Sequence, residues 1–327
     1  MGEAVSLLGD LSCLDACELC PRQCGANRNA GKTGVCGADD KLRVARAALH
    51  FWEEPPISGE RGSGAVFFSH CPLKCIFCQN RDISSAGWGK EVTVEELAQA
   101  MLGLQAQGAH NINLVTPTHY APHARVALDL ARAQGMDLPI VWNTSGYETV
   151  RSIRENQGYA DVYLADFKYA SRKLAARYSK APDYPQIALD AIAAMVDEVG
   201  SPCFDEYEGD ERMTRGVVVR HLMLPGALED SMRVVRTVWE RFGNSVLLSV
   251  MNQYTPVLAD RANDGDAFAR RELKRCPELS RRVPDGDYER LLDFADSLGI
   301  DDYFWQEGGA AEESFIPAFD LEGVMSE

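Results

Sequence analysis

The stretch GAVFFSHCPLKCIFCQN, residues 64–80, decides the fold, because a short apolar run passes directly into a loop that holds three cysteines. The run at 64–69 predicts a buried β-strand. Cys71, Cys75 and Cys78 follow with the spacing C-x3-C-x2-C, which arises by chance about 0.01 times in a chain of this composition. A closed [4Fe-4S] cluster uses four thiolates, so three would leave one iron open to a substrate. The loop therefore predicts a catalytic cluster site.

The rest of the chain repeats a strand followed by a helix. Strands are predicted at 64–69, 111–116, 139–146, 161–169, 216–226 and 245–254, with a further extended piece at 301–306. Helices are predicted at 91–108, 123–134, from about 147, near 171–179, at 185–199, at 229–242 and near 285–298. This alternation favours a parallel α/β sheet. The acidic segment 201–215 is expected to be a surface loop, and the charged segment 259–283 another excursion.

Polar residues stand where each predicted strand stops. They are the three cysteines, Thr116 and Thr118, Asn143 to Ser145, Asp166 and Lys168, Arg220 and His221, and Asn252 and Gln253. Any one of them is equally well explained as an ordinary loop residue. In α/β barrels, however, the active site lies at the carboxyl ends of the strands. Six polar strand ends together predict one functional rim.

A second cysteine group lies before the first predicted strand, in CELCPRQCGANRNAGKTGVC. Cys17, Cys20, Cys24 and Cys36 could close a zinc site or hold an iron–sulfur cluster, and Cys13 could replace one ligand. Free thiols are the alternative. A segment so poor in apolar residues could hardly order itself without a metal. We therefore divide the chain into three parts: a Cys-rich metal-binding segment at 1–48, a barrel at 49–306 and a tail at 307–327.

Composition narrows the class of protein. With 327 residues and 46% hydrophobic composition, the chain can bury the core of one large α/β domain. Its net charge of −16, without a basic stripe, argues against a nucleic-acid partner. We expect no membrane span, because no apolar run reaches eighteen residues. Ten cysteines without an export signal favour reduced thiols as metal ligands, and hence a cytoplasmic location.

At this point the residues resemble a known family. The cysteine spacing after the first strand of a βα repeat resembles the radical S-adenosylmethionine (SAM) superfamily. The run CQNRDIS, residues 78–84, is similar to the activating enzymes of glycyl-radical proteins, in particular the pyruvate formate-lyase activating enzyme-like branch. Further segments resemble one subgroup of that branch that carries an N-terminal cysteine cluster: CELCPRQCGANR, NLVTPTHY, WNTSGYE, YLADFKY, RHLMLPG, and the final WQ with SFIPAF.

The resemblance implies a partial (β/α)6 TIM-like barrel with a [4Fe-4S] cluster on the three loop cysteines. Reduction of the cluster would cleave SAM to a 5′-deoxyadenosyl radical, which abstracts hydrogen from a substrate, so the chain would be an oxidoreductase. The resemblance also implies cofactor-binding roles for Phe77, Asn143, Thr144, Asp166, Lys168 and Arg220. Where the family has a Gly-Gly-Glu-like element, this chain has VTPTHY at 115–120. Thr116 and Thr118 are predicted to take over the role of that element.

Three functions remain open from the sequence. The first is activation of a glycyl-radical enzyme, with that protein as partner and flavodoxin or ferredoxin as electron donor. The second is radical modification of a small molecule or a peptide, which the altered VTPTHY element favours. The third is a non-catalytic iron–sulfur or zinc protein that carries electrons or binds a partner. The polar rim argues against the third, because an electron carrier has no need of Asn143, Asp166 and Lys168 at strand ends.

Overall fold

The computed structural model describes residues 11–306 and 316–324. Much of the predicted tail at 307–327 therefore lies outside the described residues. The strands are β1 (Arg43–His50), β2 (Ser63–Phe68), β3 (Lys90–Glu91), β4 (Ile112–Val115), β5 (Ile140–Thr144), β6 (Val162–Asp166), β7 (Cys203–Tyr207), β8 (Asp210–Leu222), β9 (Leu247–Met251) and β10 (Tyr303–Trp305). The helices are α1 (Pro55–Ser58), α2 (Arg81–Ser84), α3 (Val94–Ala106), α4 (Ala121–Ala133), α5 (Val150–Glu155), α6 (Arg172–Ser179), α7 (Tyr184–Val199), α8 (Leu228–Phe242), α9 (Val257–Asn263), α10 (Ala267–Arg275) and α11 (Asp285–Ser297).

The sheet is mostly parallel, as the alternation of strands and helices predicted. Its order is β10-β9-β8-β6-β5-β4-β2-β1-β3, and the pairs from β2 to β10 along this path are parallel. The described strands do not close into a barrel, which agrees with a partial barrel. The parallel strands are buried on both faces, so they are nearly continuous apolar runs. Their carboxyl ends therefore share one rim.

Two parts of the sheet differ from the prediction. Strand β1 pairs antiparallel with β2 and crosses the proposed boundary at residue 48, so the sheet begins inside the segment assigned to the N-terminal part. Its residues RVARAALH do not alternate in burial, and a bulge lies between Val44 and Arg46. An irregular burial pattern of this kind gives no period-2 signal in the sequence.

The prediction of a surface loop at 201–215 was wrong, because β7 and the start of β8 form an antiparallel hairpin there. The two turn residues, Glu208 and Gly209, both have positive φ, which is typical of a tight hairpin turn. Arg212 pairs with Asp205 across the strands. The charged excursion at 259–283 contains α9 and α10.

The N-terminal segment packs against the loop that carries Cys71 and Cys75. Arg22 donates to the carbonyls of Pro72 and Leu73 in that loop and to those of Ser179 and Lys180 at the end of α6. Its guanidinium also lies 5.2 Å from the ring centroid of Tyr147. The two cysteine groups therefore belong to one packed unit.

Residues 316–324 lie along β1. Ala47 donates its backbone N–H to the carbonyl of Glu322, and Leu321 donates to that of Ala45. The ring of Phe319 packs on Phe67, with centroids 5.6 Å apart. In the described part of the chain, no helix combines the length and the apolar character that crossing a bilayer requires.

Candidate active site

A cavity of about 220 Å³ lies at the carboxyl ends of the parallel strands. It brings together most of the residues that the sequence analysis selected. Those in its lining are Cys71, Cys75, Cys78, Phe77, Thr116, Asn143, Thr144, Asp166, Lys168 and Arg220. Thr118 is not in the lining. His70, Tyr254 and Pro317 also line the cavity, although the sequence analysis did not select them.

The cysteine loop is held in an unusual backbone conformation. His70 and Lys74 have φ values of 72° and 51°, in the left-handed region that costs energy for residues other than glycine. The N–H of Ile76 donates to the carbonyl of Tyr178, at 2.9 Å, which ties the loop to α6. Such strain concentrates at functional sites, where the surrounding structure enforces it. Here it turns all three cysteines of the loop toward the cavity.

The donor set of the loop fits an iron–sulfur cluster. Ser179 donates a hydrogen bond to the Cys75 sulfur at 3.1 Å, and Ser84 donates to the Cys78 sulfur at 3.4 Å. Hydroxyl donors of this kind stabilise negative charge on a ligating sulfur. Burial raises the pKa of the Cys71 thiol to about 12, and the neighbouring Cys75 adds to that effect. Cluster binding must therefore displace protons, because metal ligation requires thiolates.

Within residues 11–306 and 316–324, no three His, Cys, Asp or Glu side chains converge on one point as ligands of a single metal ion would. A [4Fe-4S] cluster has no such requirement, because each of its thiolates binds a different iron.

Asp166 and Lys168 form a partly buried ion pair in the cavity wall. The Lys168 ammonium lies 2.5 Å from the Asp166 carboxylate. Burial raises the pKa of the Cys75 thiol, whereas the nearby Lys168 ammonium and the Ser179 hydroxyl lower it. Strand β6 thus places a cation beside the cysteine loop, where it stabilises thiolate at Cys75.

Thr116 and Thr118 occupy different environments. Thr116 lines the cavity with φ at 60°, and its N–H donates to the carbonyl of Asn143 at 2.8 Å. Thr118 instead donates to the buried Glu148 at 2.5 Å, beside a second donation from Thr144 at 2.7 Å. Burial raises the pKa of Glu148 to about 7, although both threonine hydroxyls lower it. Thr118 therefore lies outside the cavity lining and is linked to Thr144 in that lining by the shared acceptor Glu148.

Phe77 projects into an aromatic cluster next to the cysteines. Its ring packs edge-on against Tyr169, Tyr178 and Tyr254, with centroid distances of 6.5, 6.1 and 6.3 Å. The hydroxyl of Tyr254 donates to the carbonyl of Leu279, and this hydrogen bond holds the Tyr254 ring in position. Phe77 and Tyr254 of this cluster line the cavity and give it part of its apolar surface.

The sequence of this chain is similar to those of known proteins. Residues 65–209 match the model of the Radical SAM superfamily. Residues 65–209, less than half of the chain, are therefore similar to a radical SAM domain, and we refer to them by that name. An uncharacterized protein of Methanocaldococcus jannaschii is 26% identical over 294 residues, covering 87% of this chain and 75% of that protein.

Two similar solved structures belong to other proteins. SuiB of Streptococcus suis bound to S-adenosylmethionine is 12% identical, with a TM-score of 0.48, covering 76% of this chain and 50% of that one. A radical SAM methyltransferase from Sphaerobacter thermophilus is 16% identical, with a TM-score of 0.47, covering 72% of this chain and 63% of that one. This chain therefore spans about half the length of SuiB and less than two thirds of the methyltransferase.

A buried charge network beside the cavity was missed by the sequence analysis. Glu53 lines the cavity, and its Oε2 lies 2.7 Å from Nη2 of Arg220. Nε of Arg220 lies 3.1 Å from Oε1 of Glu54. Arg220, which was predicted to contact the cofactor, thus already pairs with two carboxylates. The available signal was the pair of adjacent glutamates before a diproline in HFWEEPPISG, since buried glutamates need partners.

The N-terminal cysteines lie beside the radical SAM domain rather than in its cavity. Cys17, Cys20 and Cys36 are buried and Cys24 is exposed. The fully buried Arg28 donates to the Cys17 sulfur at 3.9 Å and to the carbonyl of His119 at 2.6 Å. Burial raises the pKa of Cys20 to about 12, and Cys36 and Cys17 add to the shift. Burial also raises the pKa of Cys36, and Cys17 and Cys24 add to that effect, so the four thiols are near enough to influence one another's charge.

Proposed function

We propose that the protein is a radical SAM enzyme that holds a [4Fe-4S] cluster on Cys71, Cys75 and Cys78 and cleaves SAM reductively. One observation carries the proposal: within a radical SAM domain, these thiols share one cavity with the Asp166–Lys168 pair. When bound, the reduced cluster supplies the electron that yields methionine and a 5′-deoxyadenosyl radical, which abstracts hydrogen from a substrate. The protein positions the reactants and excludes water from the buried cavity.

The test is anaerobic. The chain is reconstituted with iron and sulfide, supplied with dithionite and SAM, and assayed for 5′-deoxyadenosine. We expect product from the wild type and none from Cys75→Ala, whereas Cys203→Ala, outside the cavity, should behave as the wild type. A cluster-loaded wild type that neither binds nor cleaves SAM would favour the non-catalytic electron carrier instead.

Within this class we propose activation of a glycyl-radical enzyme, with hydrogen abstraction from a small molecule or a peptide as the alternative. The run CQNRDIS and the exposed Phe51 and Trp52 support a protein partner, because Trp52 lies in the cavity lining at a solvent-exposed position. Incubation with candidate glycyl-radical proteins should give a doublet electron paramagnetic resonance signal on the partner. A cluster-active enzyme that gives no such signal with any candidate would favour the alternative.

We further propose that Cys17, Cys20, Cys24 and Cys36 bind a second metal, as zinc or as an iron–sulfur cluster. Within the described residues these thiols do not converge on one point, so a zinc ion would have to draw them together. Support comes from the burial of three of these thiols and from the buried cationic Arg28 beside Cys17. A guanidinium there would offset the negative charge of ligating thiolates. Metal analysis of the purified protein decides between zinc and an iron–sulfur cluster. Cys36→Ser should lose either one zinc ion or the iron that the wild type holds beyond its first cluster. Unchanged metal content in this variant would contradict the second site.

The electron donor, the partners and the cellular location are also proposals. We propose a one-electron donor such as flavodoxin or ferredoxin, no nucleic-acid partner, no membrane association and a cytoplasmic location. The net charge of −16 and the ten cysteines support these assignments. Reduction of the loaded protein by either donor, followed by optical spectroscopy, would test the first.

A further inference from the structure

Two basic segments lie outside the cavity lining, at 171–182 and 270–282. Together they hold ten lysines and arginines but only two glutamates, so their net charge is +8. Because the whole chain carries −16, the remaining residues carry −24. The sequence analysis saw no basic stripe, since the two segments stand far apart along the chain.

Arg177 joins the two segments in the folded protein. Its Nη1 lies 3.1 Å from Oε1 of Glu278, and its Nε donates to the sulfur of Cys276 at 3.2 Å. Its Nη2 donates to the carbonyl of Arg275, and the hydroxyl of Tyr178 donates to Glu278. The last turn of α6 therefore packs against the end of α10 and the turn that follows it.

Several cations at this junction are exposed and unpaired. Lys173 and Lys180 stand four positions before and three positions after Arg177, so they lie on the same side of α6 as that contact. Within the part of the chain that the structure describes, six exposed cations of the two segments form no ion pair. We call these six residues the basic face: Arg172, Lys173, Lys180, Lys274, Arg281 and Arg282.

The acidic residues around the basic face have other partners. Glu272 is buried and pairs with two arginines of its own helix, and Glu278 pairs with Arg177. Asp183, just beyond the first segment, accepts from the hydroxyl of Tyr147 at 3.0 Å. The positive charge of the basic face is therefore not neutralised by these carboxylates.

Two further carboxylates flank the second segment. Asp266 caps the N-terminus of α10, and Asp285 is the first residue of α11. Neither forms an ion pair with the basic face in the described chain. An excess of exposed cations of this kind attracts an acidic partner and increases its association rate.

The inner side of the same helical turn contacts the cysteine loop. Ser179 donates to the sulfur of Cys75 at 3.1 Å, and the carbonyl of Tyr178 accepts from the N–H of Ile76 at 2.9 Å. The ring of Tyr178 packs edge-on against Phe77. One turn of helix thus separates the basic face from the site of the cluster. Because electron transfer slows steeply with distance, this is a short route for an electron.

We propose that the basic face docks the electron donor, and that this donor is a small redox protein with an acidic surface. The inference rests on the proposed function, which requires a cluster that is reduced by one electron. In a flavodoxin, the anionic flavin hydroquinone gives that electron to the cluster and becomes the neutral flavin radical, so no proton moves. Contact with the cysteine loop favours a redox protein over a nucleic acid, for which that contact serves no purpose.

The docking site leaves the cavity free. No residue of the basic face lines the cavity, so the donor and the substrate can be bound at the same time. The cluster would then be reduced while the substrate is already in place.

The experiment measures how fast two reductants reduce the cluster-loaded protein. One is a photoreduced acidic flavodoxin, followed anaerobically by the absorbance of its flavin radical, and the other is reduced methyl viologen, a small cation. At low ionic strength, Lys173→Glu/Lys274→Glu should slow reduction by flavodoxin about tenfold, because electrostatic attraction is lost. Reduction by methyl viologen should not slow. Added salt should slow the wild type with flavodoxin, since it screens exposed charges.

The control variant is Arg154→Glu/Arg236→Glu, which makes the same change of charge at exposed positions of α5 and α8. It should be reduced by flavodoxin as fast as the wild type. Equal rates for the wild type and Lys173→Glu/Lys274→Glu, or equal slowing in the control, would overturn the inference. Arg281→Glu/Arg282→Glu changes the basic face elsewhere and replaces the first variant if circular dichroism shows that one to be misfolded.

A nucleic acid is the competing partner. If a fluorescent single-stranded oligonucleotide binds the wild type but not Lys173→Glu/Lys274→Glu, while both accept electrons from flavodoxin equally fast, the basic face belongs to nucleic acid and the inference is wrong.

Failure of the proposed function is distinguishable from failure of this inference. A protein that flavodoxin reduces through the basic face, but that forms no 5′-deoxyadenosine, contradicts the proposed function alone. Calorimetry of oxidised flavodoxin with the metal-free chain tests docking without cluster or turnover. Lys173→Glu/Lys274→Glu should weaken that binding about tenfold, and equal affinity in the wild type and this variant would contradict the docking site.

Discussion

Among single residues, Lys168 has the most direct link to the proposed chemistry, because it lines the cavity and pairs with Asp166 at 2.5 Å. Lys168→Ala should weaken SAM binding about tenfold, since it removes a partly buried charged donor. Calorimetry on the cluster-loaded protein measures the effect. Lys173→Ala, at an exposed position of α6, should bind SAM as the wild type does. Equal affinity of both variants would mean that Lys168 serves only the ion pair.

Glu148 makes stability depend on pH. Its pKa is raised by burial from the ordinary 4.5 to about 7, so the folded state holds the proton more tightly than the unfolded state. The corresponding stability, about 3 kcal/mol, is present in full below pH 4.5 and is lost as the pH rises toward 7.

Glu148→Gln should remove this pH dependence. The amide stays neutral at every pH, and its oxygen can still accept from Thr118 and Thr144. Urea unfolding at pH 5 and pH 8 should show a smaller loss of stability in the variant than in the wild type. Glu240→Gln, at an exposed position, is the control. Parallel curves for the wild type and Glu148→Gln would contradict the assignment.

Site residues that directly follow a strand could be predicted from the sequence. Site residues that reach the cavity from a distant part of the chain could not. Cys71, Asn143 and Lys168 lie at strand ends, and periodicity alone indicates where a strand stops. Glu53 reaches Arg220 across 167 positions of sequence, in a loop between β1 and α1. No local pattern records that contact, because it depends on how α1 packs against strands elsewhere in the chain.

At the scale of elements, the turn after β5 depends on Gly146. This residue has φ at 72°, and a Cβ there would lie 2.1 Å from the carbonyl oxygen of Asp166. Gly146→Ala should therefore cost about 2 kcal/mol or more, through strain and through displacement of β6. Chemical denaturation measures the loss. Gly158→Ala also has positive φ but meets no atom within 4 Å, so it should cost less. Equal losses of stability in the two variants would show that β6 can move away from the added Cβ at little cost.

Elements with a clear apolar period were predicted close to their observed bounds. Helix α8, for example, spans Leu228–Phe242 where 229–242 was expected. The β7–β8 hairpin was missed because its strands are charged and half-exposed, so its stability comes from cross-strand pairs such as Arg212 with Asp205 rather than from a buried face. Composition cannot distinguish such a hairpin from a solvated loop.

At the scale of the molecule, Arg22 joins the N-terminal segment to the radical SAM domain through four carbonyl oxygens. Arg22→Ala should loosen the loop at 71–78, because two of those carbonyls belong to it. Hydrogen exchange of the protein without added metal should increase in that loop. Arg172→Ala, exposed at the start of α6, should leave it unchanged. Equal exchange in both variants would mean that the loop is held by α6 alone.

The position of Pro317 has a consequence for biosynthesis. This residue lines the same cavity as Cys71, while its neighbours hold the edge of β1. The wall of the cavity is therefore completed by residues that leave the ribosome long after the cysteine loop has emerged. Because domains fold as units when their contacts become available, we expect loading of the cofactors only after Pro317 has emerged, and the nascent thiols must be protected from oxidation until then.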